Sequence, residues 1–458
     1  MKYITSLFLV LFWSVGVFAQ SQDSAMIRKI YNVALKEGKS YSMLEHLTTK
    51  IGARLSGSEG AAKAVEWTNK IMKEYGFDTV YLQPVMVPHW VRGKKEIGQI
   101  ARGKKKDWIS VNVCALGGSV GTGPTGIHAN IVEVKSFEEL AKLGKENVQG
   151  KIVFFNQPMD PTLIQTFAAY SKAGFQRRSG ASEAAKYGAV GVVVRSLGVN
   201  TEDYPHTGTM SYAPNIPKIP AVAISTNHAD VLSALIMQDR DLKFYFESYC
   251  ETLPDVQSYN VIGELKGSEF KDEFMAVGGH LDSWDLAQGA HDDGTGCVQS
   301  IEVLRILKTL GYKPKRTIRA VMFMNEENGL RGGQEYAKQA AEKKEKHLAA
   351  MESDRGGFTP RGFSMSGPAE AKNRVRSWKP LLEPYGLADL GSEGGGADIG
   401  PLAAQGVFLI GFLPDSQRYF NYHHTPEDTF DKVDKRELEL GAASMTALIY
   451  LIDQHGLK

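Results

Sequence analysis

Three short apolar runs, Phe274–Val277, Thr317–Met324 and Val407–Phe412, constrain this chain more than any other feature. Each has the length of a strand, and none shows the regular polar–apolar alternation of a sheet with one wet face. That is the pattern of parallel strands covered on both sides. Between the first two runs lies a nearly continuous apolar helical stretch, Cys297–Leu310, suited to crossing from one parallel strand to the next. The fold class expected is therefore α/β: a mostly parallel mixed sheet with helices on both faces. In such sheets, binding and catalytic groups gather beyond the carboxyl ends of the strands.

At 458 residues the chain exceeds one ordinary domain, so two domains or one domain with an insertion are expected. Ser24–Gly38 and Gly60–Tyr75 carry apolar residues at helical spacing, and strands are expected at Phe77–Leu82 and around Trp108–Val113. The glycine-rich stretch Gly117–Gly126 lacks the Lys-Ser/Thr ending of a phosphate loop and reads as a hinge or boundary. Beyond it, β-rich runs at Asn130–Val134, Lys151–Phe155, Gly191–Val194 and Ala221–Ile224 alternate with helical stretches such as Gly180–Tyr187. The division expected is 20–116 plus 252–458 for a main domain, with 117–251 as a smaller inserted α/β domain. Residues 1–19 read as a cleaved export signal, with Lys2, an apolar run from Ile4 to Phe18 and a small residue at Ala19. No later segment is long and apolar enough to span a membrane, so stable membrane insertion is not expected, and the periplasm or the extracellular space is. A formal net charge of +1 leaves no field to hold nucleic acid, and the lysine-rich patches at 102–106 and 343–346 read as solvated faces. Cys114 and Cys250 flank the insertion, and whether they form a disulfide is left open by sequence alone.

The residues just past each strand carry the chemistry. After Val277 come His280 and Asp282, and the loop returns through Asp292 and Asp293; Glu326 and Glu327 come after Met324; Asp354 lies beyond the Lys346–Met351 region; His423 and His424 lie beyond the last run. Taken singly, each has an ordinary explanation: a surface pair, a helix cap, a solvated acidic face. Four clusters at the same position in successive strands point to one constructed site. Buried carboxylates repel unless a cation joins them, and histidine with Asp and Glu suits zinc. Two ions sharing one carboxylate would consume the whole set. The two-residue spacing of His280 and Asp282 lets the aspartate accept the imidazole's second N–H. Both glutamates reach one site only if their strand has just ended, so that one meets metal and the other a water. Of His423 and His424, one is expected as a ligand and the other as packing or substrate contact.

In order, HxD, GAHDDGTG, NEENGLRG, ESD and YHHTPEDT resemble the co-catalytic di-zinc aminopeptidase family, and GGHLDSWDLAQGAHDDGTG is especially similar to its carboxypeptidase Q branch. LTTKIGARLSGSEG near the start and the inserted segment, which resembles a protease-associated domain, extend the likeness over nearly the whole mature chain. The resemblance implies a zinc-exopeptidase fold and two zinc ions per chain. It implies metal ligation by His280, Asp292 as the bridge, Glu327, Asp354 and His424, with Glu326 as general base and Asp282 orienting His280. Asp398, Tyr422 and His423 are expected near the substrate. The substrate implied is a dipeptide or short peptide with a free N-terminus, and relatives of this type are often homodimers. This chain departs from close relatives at Asn325 and at Arg355–Gly357, beside the ligands. An N-acyl amino-acid deacylase shares the metal chemistry and stays open as an alternative, as does, more remotely, a non-catalytic binding protein on the same fold.

Overall fold

The apolar runs become the middle of a seven-stranded sheet. In this computed structural model, which describes residues 22–102 and 107–458, its strands are β1 (Thr79–Val91), β2 (Glu251–Leu265), β3 (Phe270–His280), β4 (Arg316–Phe323), β5 (Lys346–Glu352), β6 (Pro360–Ser366) and β7 (Phe408–Pro414). Their order is β1-β2-β4-β3-β5-β7-β6. β4, β3, β5 and β7 run parallel, while β1, β2 and β6 pair antiparallel at the flanks. The expected export signal, and the lysines at 104–106, lie outside the described residues.

Both faces of the parallel strands are covered, which is why their sequences lack alternation. On β3, Met275 and Val277 enter a core shared with helices α1 (Thr295–Thr309) and α3 (Lys435–His455). Ala276 faces the other way, onto Tyr336, Ala337 and Ala340 of α2 (Arg331–Glu342). β4 divides likewise, Ile318, Ala320 and Met322 to one side and Val321 and Phe323 to the other. Burying a larger side chain such as Met275, Val277 or Ile318 stabilises the fold by about 1.5–3 kcal/mol. α1 is the crossover that joins β3 to β4.

A second, eight-stranded sheet has the order Asp107–Val111, Ile97–Arg102, Lys243–Glu247, Ile127–Val134, Ile152–Phe155, Gly191–Arg195, Ala221–Ile224, Val113–Ala115. It takes in strands upstream of residue 117. Ile97–Arg102 pairs with Lys243–Glu247 and Val113–Ala115 with Ala221–Ile224, so chain from before the glycine-rich loop covers both edges that the downstream strands would leave unpaired. The glycine-rich loop itself is packed. A Cβ on Gly117 would fall 1.8 Å from the Trp284 ring, so only glycine admits this approach. Arg92 adds a second tie, holding both oxygens of Asp285 at 2.9 and 2.6 Å and the Ala115 carbonyl at 2.7 Å. Cys114, Cys250 and Cys297 are all buried and free, so no bridge joins the first two. Among the described residues no helix is long and apolar enough to cross a membrane.

Candidate metal centre

The carboxyl ends of β3, β4, β5 and β7 deliver their polar residues to one place. His280 closes β3, and its imidazole Nε2 lies 3.1 Å from Asp292 Oδ1 and 3.4 Å from Asp354 Oδ1. The other oxygen of Asp292 faces a different partner, His424, at 3.2 Å, and His424 Nε2 lies 3.0 Å from Glu327 Oε2. Asp292 thus stands between two groups, His280 with Asp354 and His424 with Glu327. His423 Nε2 is farther from Asp292, at 3.8 Å, and its ring stacks on that of His424 with centroids 3.6 Å apart.

How two adjacent glutamates reach one site is visible at Asn325. β4 ends at Phe323, and Asn325 turns the chain with a φ of 77°, a left-handed conformation that asparagine tolerates better than most residues. The turn is held from below by Asp282, whose carboxylate accepts the amides of Asn325 (2.7 Å), Glu326 (3.0 Å) and Glu327 (3.4 Å). His280 Nδ1 meets the Asp282 backbone carbonyl at 2.9 Å, with the carboxylate at 3.9 Å. The expected side-chain contact to His280 is therefore replaced by a backbone one, because the carboxylate is occupied by the β4 turn.

The electrostatics are those of a cation cradle. Burial pushes Glu327 up to about 7, and the Asp292 charge adds to it against the pull of His424. Burial, followed by the charges of Asp354 and Glu327, holds Glu326 well above the usual carboxylate range. Burial works the same way on Asp292, but the imidazoles of His280 and His424 beside it outweigh burial and keep this carboxyl well below its usual range. Asp292 Oδ2 and Glu327 Oε1 are nonetheless buried without a hydrogen-bond partner. Two groups that overlap at Asp292, one with His280 and Asp354 and the other with His423 and His424, bring imidazole nitrogens and carboxylate oxygens close enough to share an ion, and with the unsatisfied Glu327 oxygen they form a donor set that fits zinc. A cavity of about 410 Å³ opens on this set, lined by Asp292, Glu326, Glu327 and Asp354. Of the three side chains expected to meet substrate, His423 lines it. Asp398, 1% exposed with neither oxygen hydrogen-bonded, and Tyr422, stacked on His291, are not among its lining residues.

Residues 260–449 match the pattern of Peptidase family M28. Human carboxypeptidase Q is 34% identical over 428 residues, spanning 93% of this chain and 88% of that protein. The chain belongs to peptidase family M28. It is accordingly a metallo-exopeptidase, and the crystal structure of a peptidase M28 precursor from Shewanella amazonensis is similar at a TM-score of 0.89 and 34% identity, covering 94% of this chain and 97% of that one. The Bacillus subtilis zinc aminopeptidase shares the fold, with a TM-score of 0.63 and 21% identity over 90% of this chain and 94% of its own.

This M28 peptidase also holds its site with two acids to which the sequence assigned no role. Asp428 accepts the amides of His291 and Asp292 at 2.7 and 3.1 Å, fixing the backbone of the central aspartate. Asp293 accepts the amides of His280 and Gly296, both at 3.0 Å, so the second acid of the Asp-Asp pair ties β3 to the start of α1. Gly279 makes room for it, since a Cβ there would lie 2.3 Å from Asp293 Oδ2. The available signals were the acid in TPEDT and the doubled aspartate.

Proposed function

We propose that this M28 peptidase is an exported exopeptidase that binds two zinc ions and hydrolyses dipeptides or short peptides with a free N-terminus. The observation that carries the reading is the two-faced Asp292, one oxygen toward His280 and Asp354 and the other toward His424 and Glu327. In this reading His280, Asp354 and Asp292 hold one ion, and His424, Glu327 and Asp292 the other. The ions, when bound, supply Lewis acidity that polarises the peptide carbonyl and acidifies water. Glu326, on the cavity wall and not engaged by either histidine, removes the proton of the attacking water and returns it to the departing amine. The second sheet, which we propose as a distinct inserted domain, shapes access by placing Phe167, Tyr170 and Arg177 on the same cavity.

The test is metal analysis of the purified mature protein together with digestion of free dipeptides, longer peptides and N-acyl amino acids. Two zinc ions per chain are expected, with dipeptide hydrolysis abolished by a chelator and restored by zinc. Cleavage confined to N-acyl amino acids would replace this reading with a deacylase, and no cleavage with a binding protein.

A further inference from the structure

The two histidines that face Asp292 most closely are oriented by different parts of the chain. His280 turns its Nδ1 to the carbonyl of Asp282, two residues along its own loop, at 2.9 Å. His424 turns its Nδ1 to the carbonyl of Thr207 at 3.3 Å. Thr207 lies between the Gly191–Arg195 and Ala221–Ile224 strands of the second sheet, far from His424 in sequence. The same residue gives its amide to the His424 carbonyl at 2.9 Å. Thr207 therefore holds both the ring and the backbone of a residue whose φ of 63° is a left-handed conformation uncommon outside glycine.

Thr207 is itself firmly seated. It is fully buried, and its Oγ1 donates to the Ala115 carbonyl at 2.8 Å and accepts from Arg92 Nη2 at 3.3 Å. Its neighbours are tied as well, the His206 amide to Ser196 Oγ at 2.8 Å and the Gly208 carbonyl to the Gly117 amide at 2.9 Å. Gly208 permits the close approach, since a Cβ there would fall 2.7 Å from His424 Nδ1 and its φ is 134°. Arg177 Nη1 reaches the same Thr207 carbonyl at 3.4 Å, within the two lone pairs that a carbonyl offers.

We infer that Thr207 is a positioning residue of the metal centre: through it the second-sheet unit orients His424, so the ion assigned to His424 and Glu327 depends on that unit and the ion assigned to His280 and Asp354 does not. The inference rests on the proposed pair of zinc ions. A histidine that ligates through Nε2 carries its proton on Nδ1, and the acceptor of that proton fixes the ring's orientation and its strength as a ligand. His424 Nε2 faces Asp292 and Glu327, which leaves Nδ1–H for Thr207. Disturbing such an acceptor weakens metal binding by about 10–100-fold. Here the acceptor is a backbone group, so the side chain that seats it is the place to intervene.

The experiment titrates zinc into chelator-stripped wild type, Thr207→Val and Thr207→Ser against a chromophoric competitor, and follows imidazole N–H protons by NMR after isotopic labelling of histidine nitrogen. Valine keeps the shape of threonine without the hydroxyl that bonds Ala115, and serine keeps the hydroxyl. Wild type is expected to bind zinc in two steps. Thr207→Val should weaken one step by about 10–100-fold and leave the other nearly unchanged, and Thr207→Ser should restore most of the loss. The weakened step should be the one missing from Glu327→Gln and present in Asp354→Asn. In zinc-loaded wild type, one imidazole proton that is absent from His424→Gln should sit on Nδ1 and exchange slowly with solvent, and Thr207→Val should speed its exchange. The proton is read in wild type, so fast exchange there overturns the inference even if Thr207→Val does not fold. Unchanged affinity at both steps in Thr207→Val overturns it too. So do equal losses at both steps with a lowered melting temperature, which would make Thr207 a support of the fold alone. A wild type that takes up one zinc ion or none would defeat the two-ion reading itself.

Discussion

The Asp282 carboxylate accepts the Glu326 backbone amide at 3.0 Å. It also takes the amides on either side, so one buried acid fixes the turn on which both glutamates stand. Its link to His280 runs through the backbone carbonyl. Asp282→Asn replaces an acceptor oxygen with an amide group facing backbone N–H donors. The expected result is a kcat lowered about 10–100-fold, the usual cost of disturbing a group that supports a ligand, with the fold retained by circular dichroism. An undiminished kcat would show that the turn holds without it.

Glu326 and Glu327 are neighbours with different surroundings, and their glutamine variants should separate. Glu327 Oε2 lies 3.0 Å from His424, whereas Glu326 faces the cavity. Glu326→Gln cannot take a proton, so kcat is expected to fall about 10²–10⁴-fold while zinc content stays at the wild-type value. Glu327→Gln should lower the zinc content itself. Near-normal turnover of Glu326→Gln would remove it from the role of base.

Glu439 predicts a pH-dependent stability remote from the cavity. It is 2% exposed on α3, with Oε1 a long 3.5 Å from the Tyr41 amide and Oε2 unpartnered. Its neighbour Glu302 is instead fully engaged by Arg305 and the Lys39 amide. Burial, and then the Glu302 charge, pushes Glu439 up to about 7. A carboxyl raised on folding contributes stability below its unfolded pKa and loses it as pH rises through the folded one. The loss therefore falls between about pH 4.5 and 7. Glu439→Gln should raise the unfolding free energy at pH 8 by at most about 3 kcal/mol, with the gain shrinking towards pH 5. Urea titrations at the two pH values measure this, and an equal effect at both would refute it.

Residues that end the apolar strands were legible because position and chemistry coincide. His280, Glu326 and Glu327, Asp354 and His424 each come after a run whose burial on both faces forces it into the sheet's centre, and parallel order places their ends together. The groups beneath them left weaker marks. Asp428 and Asp293 bind backbone amides, a role that any acid in a loop can fill and that no spacing reveals. β2 went unseen for a different reason: Pro254 and the polar residues of Glu251–Gln257 disguise a long strand whose first half is largely exposed. Arg177 was hidden by distance, since it lies in the second-sheet unit and the Phe175–Lys186 helix shows no strong apolar face. What marks that helix is a pair of arginines among small residues, which in isolation reads as surface charge.

Arg54 is a buried cation spent on backbone. It is fully buried, and its guanidinium donates to the carbonyls of Leu281 (2.8 Å), Gln288 (2.6 Å), Gly289 (2.9 Å) and Gly52 (3.1 Å). Leu281 and Gly289 are the two ends of the loop between His280 and the aspartate pair, so a single planar fork clamps it shut. Burial holds its pKa below the usual guanidinium range, opposed by the nearby charges of Asp428, Asp282 and Asp293. Arg54→Met removes the donors but leaves the carbonyls and the acids in place, and should cost about 3–5 kcal/mol of unfolding free energy. Arg54→Lys should recover less than half, because one ammonium cannot reach both ends of the loop. The comparison belongs in excess chelator, where zinc binding does not add to the stability of the folded state. If Arg54→Met unfolds within about 1 kcal/mol of wild type under those conditions, the loop is held by something other than this arginine.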